Sequence, residues 1–246
     1  EEIQPFTKDL EWYKNAEHKA WHWKERVVQS DAEYAALIYS MDENIGRVLD
    51  ALKKKGLDKN TIVCLLSDNG GLSSAEGSPT CNFPLRAGKG WLYEGGIREP
   101  FLIKYPKVVE AGSVCLNPVI GVDFYPTILE LTGLPLKPEQ HVDGVSLVPF
   151  LKGDRTFDRG PIFWHYPHYG GKGDTPGGAI RMGDYKLIEF YEDNHVELYN
   201  LRTDISETHD LSKEKPEVAA DLLKRLHDWR KACGAKMPKT NPNYKK

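Results

Sequence analysis

At 246 residues and 27.9 kDa, the chain is long enough to bury one large domain or two modest ones. Apolar residues at 40% and charged residues at 28% describe a soluble globular protein, and 33 basic against 36 acidic residues give no electrostatic case for nucleic acid or an anionic membrane. No run reaches the apolar length of a membrane span, and Glu1-Glu2 does not open a signal peptide.

Residues 1–29 are charged and aromatic, with Trp12, Trp21 and Trp23 among many Lys and Glu. His18 and His22 would share a face if this stretch were helical, but no H-e-x-x-H pattern joins them, and a solvated or packed pair is the expectation. Ser30-Asp31-Ala32-Glu33 reads as a capping box. A helix should follow, with Tyr34, Ile38, Met41, Ile45, Val48 and Leu52 on one stripe, closed by Lys53, Lys54, Lys55 and Gly56 and packed on a sheet. The next element, Thr61 to Leu66, is a β-branched and apolar run that predicts a strand buried on both faces. Helix then strand is the order of an α/β layer.

The strand stops at Ser67-Asp68-Asn69-Gly70-Gly71. In open α/β sheets, ligands collect beyond the carboxyl ends of strands, where Asp68 and Asn69 fall. A carboxylate beside an amide carbonyl offers hard oxygen donors, suited to Ca²⁺ or Mg²⁺ rather than zinc or copper. Taken alone, these residues are equally the makings of an ordinary turn. The loop continues as Pro84-Leu85-Arg86-Ala87-Gly88-Lys89-Gly90-Trp91-Leu92-Tyr93-Glu94-Gly95-Gly96-Ile97-Arg98-Glu99-Pro100, with Lys89 between two glycines that let the backbone approach an anion closely. A solvated loop lysine is the plainer alternative. A second apolar run, Phe101 to Pro106, follows.

An edge segment is expected over Gly112 to Leu116. A short helix capped by Asp123 should run from Phe124 to Thr132 and close at Gly133, and one or two helical turns should cover Ser146 to Leu151. Lys152-Gly153-Asp154-Arg155 reads as a boundary, dividing the chain into 1–153 and 154–246. Beyond it, Ile162–Tyr166, Ala179–Met182, Tyr185–Phe190 and Val196–Leu201 are short strands of an antiparallel meander, the middle pair joined by Gly183-Asp184. Pro216 opens a helix with Ala219, Leu222, Leu223, Leu226 and Trp229 on one stripe, closed by Gly234. A sheet covered by one helix makes a small α+β subdomain. Trp164-His165-Tyr166-Pro167-His168-Tyr169 could stack on sugar faces and donate hydrogen bonds, so His165 and His168 are candidate substrate contacts; gluing the subdomain to its neighbour is the alternative. The four cysteines, Cys64, Cys81, Cys115 and Cys233, lack C-x-x-C spacing and fit either free thiols or one or two disulfides.

The series SDNGG, then PLRAGKGWLYEGGIREP, then Phe101-Leu102-Ile103-Lys104-Tyr105-Pro106, closely resembles the second half of the type I, formylglycine-dependent sulfatases of the alkaline phosphatase superfamily. The resemblance implies part of an alkaline-phosphatase-like α/β mixed sheet flanked by helices over 1–153, with a small α+β carboxyl-terminal subdomain over 154–246. It implies that Asp68 and Asn69 bind one Ca²⁺ and that Lys89 contacts a sulfate oxygen. The family's formylglycine comes from a Cys/Ser-x-Pro/Ala-x-Arg motif, and no cysteine here carries it. The family's early aspartate pair, and the arginine, lysine and histidine around its nucleophile, are not found either. A missing amino-terminal half of the same protein is therefore expected to supply the rest, with a small sulfated carbohydrate or aryl sulfate as substrate and a periplasmic or secreted location. A phosphoryl hydrolase of the same superfamily and a non-catalytic sulfated-glycan binder are the competing readings.

Overall fold

A computed structural model describes residues 25–26, 28–75, 77–172 and 174–239. The expectations for Trp12, His18, His22 and the last residues lie outside that range. The chain divides into two compact units. One joins residues 1–38, 67–99 and 163–246, and the other joins 39–66 and 100–162.

The long helix α1 spans Ala32–Lys54. Its cap falls one residue later than expected: the Asp31 carboxylate accepts the Tyr34 amide at 2.8 Å, while Ser30 Oγ accepts instead from Arg26 Nη1 at 3.0 Å. Gly56 ends it in the left-handed region, φ 67°. The expected packing of its stripe on a sheet is not found among the described residues. No residue of α1 is buried, and Ile38, Met41 and Val48 are exposed. Periodicity reports that a face is apolar, not what covers it.

In the second unit, β1 (Val63–Leu66) pairs antiparallel with β2 (Phe101–Lys104), Val63 opposite Lys104 and Leu66 opposite Phe101. Leu65 and Leu66 are exposed, so the expected burial of this strand on both faces is not met among the described residues. The edge segment expected over 112–116 forms no strand. A 3₁₀ turn, Gly121–Asp123, leads into α3 (Phe124–Leu131), counting the short helix α2 (Glu94–Ile97) of the first unit before it. Asp123 does not cap α3 with its side chain. Its fully buried carboxylate accepts from the amides of Ile120 and Val145, both at 3.0 Å, and takes a bidentate fork from Arg159 at 2.9 and 2.8 Å. Thr127 Oγ1 receives the Leu147 amide at 2.8 Å, just before the single turn α4 (Val148–Leu151).

The first unit is built on a four-stranded sheet in the order β3 (Ile162–Tyr166), β4 (Gly177–Met182), β5 (Tyr185–Phe190), β6 (Val196–Asn200). Met182 lies opposite Tyr185 across the Gly183-Asp184 turn, whose Gly183 has φ 57°. Alternation divides the faces. Ile180, Leu187 and Leu198 meet Ala219, Leu222 and Leu226 of α5 (Pro216–Ala232), and Phe163 stacks on Trp229 at 4.9 Å between centroids. Each fully buried leucine there contributes about 1.5–3 kcal/mol. The other face, Ala179, Ile188, Phe190 and Tyr199, packs against Ala87, Trp91 and Tyr93. The glycine-rich loop after β1 thus rests on the sheet.

Candidate active site

Charged groups pin that loop where apolar packing ends. Arg86 is buried, lies 3.7 Å over the Tyr93 ring, and donates to Tyr199 Oη at 3.0 Å and the Glu207 carbonyl at 2.9 Å. Lys186 Nζ pairs with Glu94 at 3.1 Å and Glu207 at 2.8 Å, and Glu207 Oε2 accepts the Glu94 amide at 2.7 Å. Two buried carboxylates share one lysine. Burial pushes Glu207 up to about 7, while Lys186 and Arg181 overcome the burial of Glu94 and hold it below its ordinary range.

The loop is stitched to the segment after β1 by two backbone bonds, Gly70 N–H to the Gly96 carbonyl and Lys89 N–H to the Gly71 carbonyl, both 3.0 Å. Asn82 Nδ2 adds bonds to the Gly71 carbonyl at 2.8 Å and the Ala87 carbonyl at 3.0 Å. This approach is too close for side chains. A Cβ at Gly70 would stand 1.8 Å from the Gly95 oxygen, and one at Gly88 would stand 2.3 Å from the Gly71 oxygen. Gly70 and Gly88 are therefore one device, allowing two chain segments to touch backbone to backbone.

Asn69 and Lys89 consequently line the same cleft, of about 440 Å³, together with Trp91, Ile97, Trp164, Lys172 and Asp174. That volume suits a small molecule. Asp68 is exposed beside Asn69 and is not among the lining residues; its negative charge, after burial, helps push the Glu99 carboxyl up to about 7. Glu99 Oε1 is buried with no hydrogen-bond partner. An orphaned carboxylate oxygen near a second carboxylate, next to an amide, is a hard-oxygen environment that fits a divalent cation. Among the described residues no three His, Cys, Asp or Glu converge to hold a metal by themselves.

His165 lines the cleft, but both of its nitrogens are engaged, Nδ1 with Tyr191 Oη at 2.7 Å and Nε2 with the Lys236 carbonyl at 2.9 Å. His168 is exposed, packs edge-on against Tyr166 and is not among the lining residues. Nothing local marks Asp174, which sits in a glycine- and proline-rich run that reads as loop. All four cysteines are free thiols. No helix among the described residues is long and apolar enough to cross a membrane.

An amide, Asn69, and a lysine, Lys89, thus stand on the wall of one cleft. Comparison with known proteins gives the lineage. Residues 4–134 match the sulfatase family model, and residues 87–232 match that of the carboxyl-terminal part of N-sulphoglucosamine sulphohydrolase. The chain belongs to the sulfatase family of the alkaline phosphatase superfamily. It is 39% identical over 223 residues to a sulfatase of Formosa agariphila, covering 81% of this chain and 40% of that protein. A crystal structure in complex with k-i-k-neocarrahexaose superimposes with a TM-score of 0.71 at 33% identity, covering 93% of this chain and 47% of that one. Another, in complex with its substrate D-glucosamine-2-N,6-O-disulfate, gives 0.66 at 30% identity, covering 79% and 39%. The chain thus spans under half the length of these relatives.

Proposed function

We propose that the chain forms the metal- and sulfate-binding half of a sulfuric ester hydrolase acting on a sulfated carbohydrate. The observation that carries this is the pair of backbone bonds from Gly70 and to Gly71, which sets Asn69 and Lys89 on one cleft. Asp68 and Asn69 hold one Ca²⁺ through a carboxylate and an amide oxygen. Lys89 places its ammonium against a sulfuryl oxygen, and that fixed charge stabilises the negative charge that builds as the ester bond breaks. Trp164 presents a face to the sugar, and His165, held at both nitrogens, contributes its ring to that wall. His168, exposed outside the cleft, is proposed to meet a substrate only where it extends beyond the sulfated residue. Bound Ca²⁺ supplies Lewis-acid polarisation, and a formylglycine from a preceding segment of the protein supplies the nucleophile. The relatives' complexes with neocarrahexaose and a glucosamine disulfate support a sulfated-sugar substrate, and a polymer-derived substrate favours a periplasmic or extracellular location.

Titration of full-length protein with Ca²⁺ tests this. Asp68→Ala should abolish tight Ca²⁺ binding and release of sulfate, with the fold intact by circular dichroism. Unchanged Ca²⁺ affinity in that variant defeats the assignment, and stoichiometric paired zinc in place of calcium assigns the site to phosphoryl hydrolysis.

A further inference from the structure

Two residues ahead of Lys89 the chain holds a conformation that its side chain resists. Ala87 is buried and sits in the left-handed region, φ 59°. A residue with a Cβ is strained there and stays only where its neighbours hold it. The hold is on the Ala87 carbonyl, which accepts from Asn82 Nδ2 and from Ser73 Oγ, both at 3.0 Å. Ser73 has one hydrogen, and Glu25 Oε1 lies within its reach as well, at 3.2 Å. Asn82 has two hydrogens on its amide and uses both, one on the Ala87 carbonyl and the other on the Gly71 carbonyl at 2.8 Å. That Gly71 carbonyl is also the acceptor of the Lys89 amide, at 3.0 Å. One side-chain amide therefore joins the strained residue before Gly88 to the anchor of the residue after it. It stands where a side chain at Gly88 would be, since a Cβ there would lie 2.8 Å from Asn82 Nδ2 and 2.5 Å from Ser73 Oγ. Lys89 itself is exposed at the cleft and, among the bonds described, is held through its backbone. Its direction is set by the peptides on either side.

We propose that Asn82 is the positioning residue of Lys89, its amide locking the Ala87–Gly88 peptide so that the ammonium faces the cleft. Without those two donors Ala87 relaxes toward negative φ, the peptide after it turns, and residue 89 swings off the sulfate position. Asn82 is not among the residues that line the cleft, so its effect on a substrate passes through the loop it bonds. A misplaced charge donor weakens stabilisation of the transition state more than binding of the ground state, so turnover falls further than KM moves. The inference rests on the reading of Lys89 as the sulfate contact.

The test is a double-mutant cycle on the full-length protein, measuring kcat and KM for sulfate release from a sulfated monosaccharide at saturating Ca²⁺. Asn82→Ala should lower kcat by about 10- to 100-fold, the scale of a catalytic group displaced by about 1 Å, with KM moving less. In a Lys89→Ala background the same change should cost less than about threefold, because no ammonium is left to aim. Adding Ala87→Gly to Asn82→Ala should recover most of the lost turnover, since glycine holds a positive φ without a clamp. Asn82→Ser, whose single hydrogen cannot bond two carbonyls, serves if Asn82→Ala does not fold, and should follow the same pattern. Equal losses with and without Lys89 overturn the assignment and make Asn82 a support of the loop alone. No loss in the wild-type background, or no recovery with Ala87→Gly, overturns it as well. Lys89→Ala turning over as fast as the wild type overturns the sulfate contact itself, a failure told apart from the others because it appears in that single variant.

Discussion

Replacing Gly70 by alanine puts the coupling of the two loop segments under direct strain. The new Cβ would stand 1.8 Å from the Gly95 carbonyl oxygen and 2.9 Å from the Gly96 Cα, both backbone atoms. No rotamer change relieves that overlap, so residues 86–97 must withdraw by about 1 Å or more. Overpacking of this kind costs about 1–3 kcal/mol, which at about 2–4 °C per kcal/mol lowers Tm by roughly 2–12 °C in a chain of this size. The same withdrawal stretches the Gly70–Gly96 bond and parts Asn69 from Lys89. Misplacing a catalytic group by 1 Å costs about a hundredfold in rate. Gly46→Ala is the control, since a Cβ there meets nothing within 4 Å and the position lies inside α1; it should gain about 0.5–1 kcal/mol. Thermal unfolding and sulfate release by the full-length protein check both variants. Gly70→Ala matching Gly46→Ala in Tm and in turnover would refute the close-approach argument.

Lys186→Met leaves Glu94 and Glu207 buried without their shared cation and should destabilise by about 3–5 kcal/mol in urea unfolding, with Lys186→Arg recovering little because the site is fully enclosed. A loss under 1 kcal/mol would show the pair to be solvated. Glu25 is buried against Ser73, whose hydroxyl donates at 3.2 Å, and burial pushes its carboxyl up to about 7 from 4.5. The folded state therefore holds that proton longer than the unfolded chain, so stability is full below about pH 4.5 and declines as pH rises through 7. Glu25→Gln should flatten that decline by about 1–3 kcal/mol between pH 5 and pH 8; an unaltered slope in denaturant titrations would place the proton elsewhere.

The sheet was readable because its turns speak locally. Gly183-Asp184 sets the hairpin, and the strands over Ile162–Tyr166 and Tyr185–Phe190 end where the sequence places them. The Pro216 helix was readable because its five apolar positions fall on one stripe that the sheet covers. The same logic overreached for α1, whose stripe is equally regular and whose side chains remain uncovered among the described residues. Asp68, Asn69 and Lys89 stood out through their glycine context, and the structure supplies its reason: Gly70 and Gly88 are contact points, not hinges. What the sequence withheld is the partnering of distant charges. Arg86 meets the Glu207 backbone carbonyl and Lys186 meets the Glu94 carboxylate across about a hundred residues, and no local pattern announces Asp174 beside Gly90. His165 shows the converse, since an aromatic run suggests a substrate contact but not that Tyr191 and Lys236 already occupy both nitrogens.

The most direct measurement is the rate of sulfate release from a sulfated monosaccharide by full-length protein, wild type against Lys89→Ala, at saturating Ca²⁺. Loss of one positioned cationic donor should lower turnover by about a hundredfold while Ca²⁺ affinity and Tm stay unchanged. Equal turnover in the two proteins would contradict the placement of the ester against Lys89.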